Sequence, residues 1–171
     1  LGTASGTVTI SDDDSAPTIS ISDNATSNEA SGATPLTVTL SAASERVITV
    51  NYTTANGTAN SGADYVAVNG ILTFNSNVTS LPIPVSIIQD AVDETNETLI
   101  INLSSAVNAS INDGSGTLTI TDDDGLPSIT IDDVTTASEI AANQSITLRL
   151  SGASENNVTV DWSTQNGTAT A

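Results

Sequence analysis

The chain has 171 residues, of which 20 are acidic and 2 are basic, so its formal net charge is −18 at pH 7. It has no cysteine, histidine or lysine, which excludes disulfide bridges, thiolate and imidazole metal sites, and nucleophile–base pairs built on those side chains. The charge also argues against nucleic acids and anionic lipids, since both are bound through basic surfaces. We therefore expect a protein that is not an enzyme.

Alternation of apolar and polar residues dominates the chain and predicts β-strands with one face toward a core and one toward water. No stretch has a convincing helical period, and no apolar run is long enough to insert into a membrane. Short strands separated by turn residues predict an all-β fold, an antiparallel β-sandwich of around seven strands per repeating unit. The predicted strands are 18–22, 36–40, 48–53, 65–68, 71–74, 81–87, 99–103 and 117–121.

Two local signals refine this pattern. Asn69-Gly70 lies between the predicted strands 65–68 and 71–74 and predicts a two-residue hairpin, because both residues tolerate positive φ. Pro82 and Pro84 cannot donate hydrogen bonds to a neighbouring strand, so their strand is expected at a sheet edge or to carry a bulge.

The chain repeats itself with an offset of 110 residues. Residues 6–23 return as 116–133, and the pair Ser44–Glu45 returns as Ser154–Glu155. A period this long indicates a series of whole domains, because solenoid repeats run about 20–50 residues. About 110 residues is also the commonest domain size.

The phase of the repeat divides the chain into three predicted segments. Residues 1–14 are the last strand and acidic tail of a preceding repeat, residues 15–124 are one complete repeat, and residues 125–171 are the N-terminal part of a following repeat. The junction at 124–127 is very short, so successive sandwiches are expected to stack end to end as neighbouring partners.

Acidic residues of the complete repeat concentrate in the loop 90–97 and at the strand exit 122–124. The strand that begins at Glu97 is followed by one that ends at Asp122, so the loop and the exit are expected to share one end of the sandwich. Six or more carboxylates there would repel by ~1 kcal/mol per pair at 4 Å in water, and Arg46 is the only cation of the repeat. A divalent cation would relieve this repulsion, and several hard oxygen ligands on flexible loops suit Ca²⁺ better than Mg²⁺.

Either acidic cluster alone is equally compatible with a solvated turn, and it is the combination without counter-cations that favours a calcium site. Other acids fit ordinary roles. Surface or turn positions are expected for Glu45, Asp113 and Asp161, and turn caps for Asp23 and Asp133.

Three motifs of the complete repeat resemble the Calx-beta domain. They are Asn-Gly-Thr-Ala followed by Gly-Ala-Asp-Tyr (56–65), Asp-x-x-x-Glu-x-x-Glu-Thr-Leu (90–99) and Gly-Thr-Leu-Thr-Ile-Thr-Asp-Asp-Asp (116–124). The resemblance covers the whole chain and implies a seven-stranded immunoglobulin-like sandwich with calcium ions at one pole. The family is known from sodium–calcium exchangers, from integrin β4 and from large extracellular bacterial proteins.

The resemblance also implies a ligand set. The calcium ligands would be Glu29, Asp64, Asp90, the backbone carbonyl of Val92, Glu94, Glu97, Asp122, Asp123 and Asp124. Gln89 departs from the family, since strong calcium binders often have another aspartate there. The first ligand of the following repeat would be Glu139.

These observations predict a calcium-binding repeat of a long extracellular or cell-surface protein from a bacterium. Calcium would stabilise each domain and stiffen the joint at 125–127. Two alternatives stay open: an adhesion module that recognises a glycan or protein ligand of the parent protein, and an intracellular calcium sensor. The scarcity of aromatic residues, 2% of the chain, speaks against adhesion through an aromatic surface.

Overall fold

The computed structural model describes residues 2, 4–11, 13–23, 25–32, 35–134, 143–165 and 167. Regular structure within these residues is almost entirely β, with one short 3-10 helix at Glu29–Ser31. No helix among them has the length and apolar character needed to cross a membrane. The strands are β1 (Thr18–Ile21), β2 (Ala25–Asn28), β3 (Leu36–Leu40), β4 (Ile48–Asn56), β5 (Asn69–Phe74), β6 (Ser80–Ile83), β7 (Val92–Asp93), β8 (Glu97–Val107), β9 (Ser110–Asp113), β10 (Ser115–Thr121), β11 (Ile129–Ile131), β12 (Leu148–Leu150) and β13 (Ala153–Ser154).

Two sheets form a sandwich within residues 15–124, called the central sandwich below. The first sheet has the order β6-β3-β1-β9 and the second has the order β2-β10-β8-β4-β5. Alternate residues of these strands face inward and are fully buried, as the sequence period predicts, including Ile19, Val38, Val50, Ile101 and Leu118. Burial of each such aliphatic side chain contributes about 1.5–3 kcal/mol to folding. The two packed sheets confirm the predicted all-β sandwich.

The sheets are mixed, so the predicted seven strands and wholly antiparallel pairing are not exact. β1 runs parallel to β9 and β2 runs parallel to β10. At the start and at the end of residues 15–124 the chain passes from one sheet to the other. Each of these stretches therefore supplies a strand to both sheets, β1 and β2 at the start and β9 and β10 at the end. Local periodicity does not show this, because alternation reports which face of a strand is buried and not which sheet the strand joins.

The hairpin predicted at Asn69-Gly70 is wrong. Both residues lie inside β5, where Gly70 is opposite Tyr52 of β4. A Cβ atom on Gly70 would lie 2.8 Å from the Tyr52 hydroxyl oxygen, so glycine leaves room for the close ring in the present position of Tyr52 and does not form a turn. The segment 65–68 forms no strand, and Pro82 lies in the edge strand β6, as predicted.

The flanking segments have little regular structure. The described residues of 1–14 contain no strand, although one is predicted there. β11 and β12 pair antiparallel, but their apolar residues remain exposed, with Ile131 at 63% and Leu150 at 48%. The predicted limits of the three segments stay a prediction.

Candidate metal centre

Strand register brings several predicted ligands to one end of the central sandwich. In the parallel β2–β10 pair, Asn28 lies opposite Thr121, so Glu29 and Asp122 both follow the last paired residues. In the antiparallel β10–β8 pair, Glu97 lies opposite Ile120. We call the end that carries Glu29, Asp64 and residues 90–97 and 122–124 the acidic pole.

The first group of acids at this pole comprises Glu29, Asp122 and Asp124, which each place one carboxylate oxygen within 4.8 Å of the others. Glu29 begins the 3-10 helix, which is capped by Asn28 through a 2.9 Å hydrogen bond from the Ala30 amide. The Asp124 amide donates to Asp122 Oδ1 at 3.3 Å. The backbone therefore turns tightly after β10 and points two of its three aspartates toward Glu29.

The second group comprises Asp64, Glu94 and Glu97, which likewise each place one carboxylate oxygen within 4.8 Å of the others. The Asn60 amide donates to Asp64 Oδ2 at 2.6 Å, which fixes that carboxylate within its loop. Six oxygen-bearing side chains thus converge in two neighbouring triads.

The motif 56–65 builds the loop that presents Asp64. The Asn56 side chain accepts hydrogen bonds from the Tyr65 hydroxyl at 2.7 Å and from the Ser61 amide at 3.1 Å. Gly57 lies so close to the Thr98 carbonyl that a Cβ atom there would overlap it. The loop is therefore fastened onto the beginning of β8, directly beside Glu97.

Three carboxylate oxygens at the acidic pole are buried and lack a hydrogen-bond partner: Glu29 Oε2, Glu97 Oε2 and Asp124 Oδ2. Glu29 and Glu97 are only 5% and 8% exposed. An unpaired buried carboxylate is costly, and no positive side chain of the described residues compensates. Arg149 forms an ion pair with Asp132. Arg46 lies at the opposite end of the central sandwich, where the Ser41 amide donates to the Thr18 carbonyl and the Asn108 side chain donates to the Val47 carbonyl.

The electrostatics of the pole agree with this geometry. Burial, followed by repulsion from Glu94 and the other acids, raises the pKa of Glu29 from 4.5 to about 7. Burial and the neighbouring Asp64 likewise raise the pKa of Glu97 to about 7. The pKa of Glu94 and that of Asp124 are also raised, by burial and by neighbouring carboxylates. These residues fit a bound cation, which would supply the missing positive charge to the unpaired oxygens.

Not all of the predicted ligands join the two triads. Asp90 is exposed and its Oδ1 accepts a 2.8 Å hydrogen bond from the Val92 amide, although it lies close enough to Glu29 and Glu94 to raise their pKa values. Asp123 is exposed and outside both triads. Val92 lies in β7, and the role of its carbonyl stays a prediction, while Glu139 lies outside the described residues.

Two further acids at the pole are absent from the predicted ligand set. Asp93 is buried, at 6% exposure, and its Oδ2 accepts a 2.6 Å hydrogen bond from the Ser154 hydroxyl. Glu155 follows Ser154, and its amide donates to the Asp93 carbonyl at 2.9 Å. The recurrence of Ser44–Glu45 as Ser154–Glu155 is the sequence signal that singles out this pair, although only a surface or turn position is expected for Glu45.

Comparison with known proteins supports the resemblance. Solved structures similar to this chain include CBD12 from CALX1.2, with 27% identity and a TM-score of 0.59 over 62% of this chain and 45% of that one. The apo form of the Calx CBD1 domain has 27% identity and a TM-score of 0.58, over 63% of this chain and 99% of that one. The calcium binding domain CBD12 of CALX1.1 has 26% identity and a TM-score of 0.59, over 67% and 50%. The chain thus spans about half the length of the two CBD12 structures.

A comparison with curated proteins gave no match. The model of the Calx-beta domain matches residues 12–124 and again residues 127–171, which together are most of the chain. The chain belongs to the Calx-beta domain family.

Proposed function

We propose that the central sandwich binds Ca²⁺ at its acidic pole. The observation that carries the proposal is the set of three buried carboxylate oxygens without a partner, on Glu29, Glu97 and Asp124. The proposed ligands are the two triads together with three neighbouring groups, which are Asp90, Asp123 and the Val92 carbonyl. CBD12 of CALX1.1, a similar structure, is described as a calcium binding domain.

The number and type of donor groups favour calcium over magnesium. Ca²⁺ takes six to eight oxygens at variable geometry, whereas Mg²⁺ requires a nearly ideal octahedron and retains waters. The two triads each hold three carboxylates within 4.8 Å, and bidentate carboxylates and backbone carbonyls can complete both shells. We therefore propose at least two calcium ions, one per triad.

The proposed role is structural and not enzymatic, within a long extracellular or cell-surface protein of a bacterium. Extracellular calcium modules bind at about 10⁻⁴–10⁻³ M. Millimolar calcium would then stabilise each repeat by about 1–3 kcal/mol and stiffen the joint after Asp124. An intracellular sensor would use the same site at micromolar affinity, so the measured affinity separates the two proposals.

The test is isothermal titration of the full chain, stripped of cations with EGTA and dialysed, with calcium chloride and then with magnesium chloride. We expect saturable calcium binding, weak or no magnesium binding, and a melting temperature that rises with calcium alone. Glu94→Gln combined with Glu97→Gln should abolish the binding heat of the second triad and leave that of the first, because both residues belong to the second triad.

Glu45→Gln is the matched control, because it removes one exposed acid from the opposite end of the same sandwich. It should bind calcium as the wild type does. A chain that is folded in EGTA and shows neither binding heat nor a change in melting temperature at calcium concentrations up to ~10 mM, above the weakest proposed dissociation constant, would overturn the calcium proposal.

A further inference from the structure

The turn at Ala153–Glu155, in the segment after the central sandwich, contacts the acidic pole. β13 pairs parallel with β7, so that Ala153 lies opposite Val92 and Ser154 opposite Asp93. Two further hydrogen bonds hold this contact: Ser154 Oγ donates to Asp93 Oδ2 at 2.6 Å, and the Glu155 amide donates to the Asp93 carbonyl at 2.9 Å. The buried Asp93 is therefore the attachment point of the turn.

This attachment brings one more carboxylate to the pole. The Glu155 amide is bonded to the carbonyl of Asp93, the residue before Glu94, so the backbone holds Glu155 beside Glu94 of the second triad. The second triad already contains the buried, unpartnered Glu97 Oε2. A fourth carboxylate would add only repulsion, since no cationic side chain of the described residues lies there.

We propose that Glu155 is a calcium ligand supplied to the central sandwich by the segment that follows it. The second triad is then completed by a neighbouring repeat, and the hydrogen-bonded turn at Ser154 positions that ligand. This inference rests on the proposed calcium site and adds a shared ligand to it.

The other end of the central sandwich also carries a Ser-Glu pair close to acidic residues. Ser44 and Glu45, which occupy the repeat positions of Ser154 and Glu155, line a cleft together with Asp13 and Asp14. Asp13 and Asp14 are in turn the repeat counterparts of Asp123 and Asp124. Ser44 and Glu45 therefore lie near the aspartates that precede their repeat, whereas Ser154 and Glu155 are attached to Asp93.

The chain itself provides a matched control for the test. Glu155→Gln removes the proposed shared ligand from a complete acidic pole. Glu45→Gln removes the equivalent exposed side chain at the opposite end of the central sandwich, away from both triads.

The experiment is calcium titration of the full chain by calorimetry, with hydrogen exchange of the peptide that spans 150–158 in EGTA and in calcium. We expect Glu155→Gln to weaken binding at one site by about five-fold or more and Glu45→Gln to leave all sites unchanged. Calcium should slow exchange of the Glu155 amide in the wild type, and this protection should shrink in Glu155→Gln.

The outcomes separate the two proposals. Calcium binding by the wild type with equal affinity in Glu155→Gln and Glu45→Gln, and equal protection of 150–158, would overturn the shared ligand and leave the calcium site intact. Absence of calcium binding by the wild type would overturn both. Ser154→Ala provides a second check: it keeps the Glu155 carboxylate but removes its anchor, and should weaken the same site less than Glu155→Gln does.

Discussion

Glu97→Gln is expected to have opposite effects on stability in the absence and presence of calcium. The side chain is 8% exposed and its Oε2 lacks a partner, so its charge destabilises the calcium-free fold. The glutamine keeps the shape and removes the charge. In calcium the same substitution removes a proposed ligand and should reduce the stabilisation that calcium provides.

The magnitude follows from the pKa of Glu97, which rises from 4.5 to about 7 in the folded chain. At ~1.4 kcal/mol per pH unit, an ionised Glu97 costs the calcium-free fold about 3 kcal/mol at pH 8. Because the glutamine amide also needs partners, we expect a net gain of about 1–3 kcal/mol. A gain of 2 kcal/mol corresponds to a rise of roughly 8 °C in melting temperature.

The assay is urea unfolding of the full chain at pH 8, in EGTA and in 5 mM calcium chloride, with Glu45→Gln as the exposed-acid control. Glu97→Gln should unfold at higher urea concentration than the wild type in EGTA, and should gain less from calcium. Equal destabilisation by Glu97→Gln in both conditions would refute the reasoning, because it would show that the ionised side chain stabilises the calcium-free fold.

Three other changes test neighbouring parts of the structure. In EGTA, stability should fall as the pH rises from 5 to 8, because the pKa of Glu29 is raised to about 7 and the folded state therefore holds that proton more tightly; urea midpoints measured across this range should flatten in Glu29→Gln. Gly57→Ala should lower the melting temperature by several degrees, since its Cβ would overlap the Thr98 carbonyl, and an unchanged melt would contradict that close contact. Tyr65→Phe should cost about 1 kcal/mol in urea unfolding through loss of its 2.7 Å hydrogen bond to Asn56, whereas no loss would mean that the bond contributes nothing net.

Much of the fold was predictable because apolar alternation reports directly which face of a strand is buried. Ile19, Val38 and Leu118 are apolar members of alternating stretches, and all three are fully buried. Strand pairing was less predictable, because it depends on residues far away in the sequence. The parallel pairs β1–β9 and β2–β10 bring together residues about 90 positions apart.

Asn69-Gly70 shows how one dipeptide can have two physical causes. The pair is favoured in tight hairpins by its tolerance of positive φ, yet here glycine leaves room for the ring of Tyr52 on the adjacent strand. Nothing near residue 70 in the sequence distinguishes these causes, because Tyr52 belongs to a different strand.

The sequence predicts the end of the sandwich at which the acids gather. The predicted ligand set leaves out two acids that lie there, Asp93 and Glu155. The proximity of Glu97 and Asp122 follows from two consecutive strand ends and needed no side-chain information. Asp93 and Glu155 were missed because their meeting depends on how the following segment folds back onto β7. The recurrence of Ser44–Glu45 as Ser154–Glu155 marks the pair in the sequence but does not show which residue of the central sandwich it contacts.

The parallel pairing between strands from the beginning and the end of the central sandwich determines how it would carry tension along a chain of repeats. β2 and β10 run side by side in the same direction, with Ala25 opposite Leu118 and Asn28 opposite Thr121. Tension would draw β2 toward its N-terminus and β10 toward its C-terminus, so the two strands would have to slide past each other. All hydrogen bonds between them would then be loaded in shear together, instead of opening one after another as in a zipper.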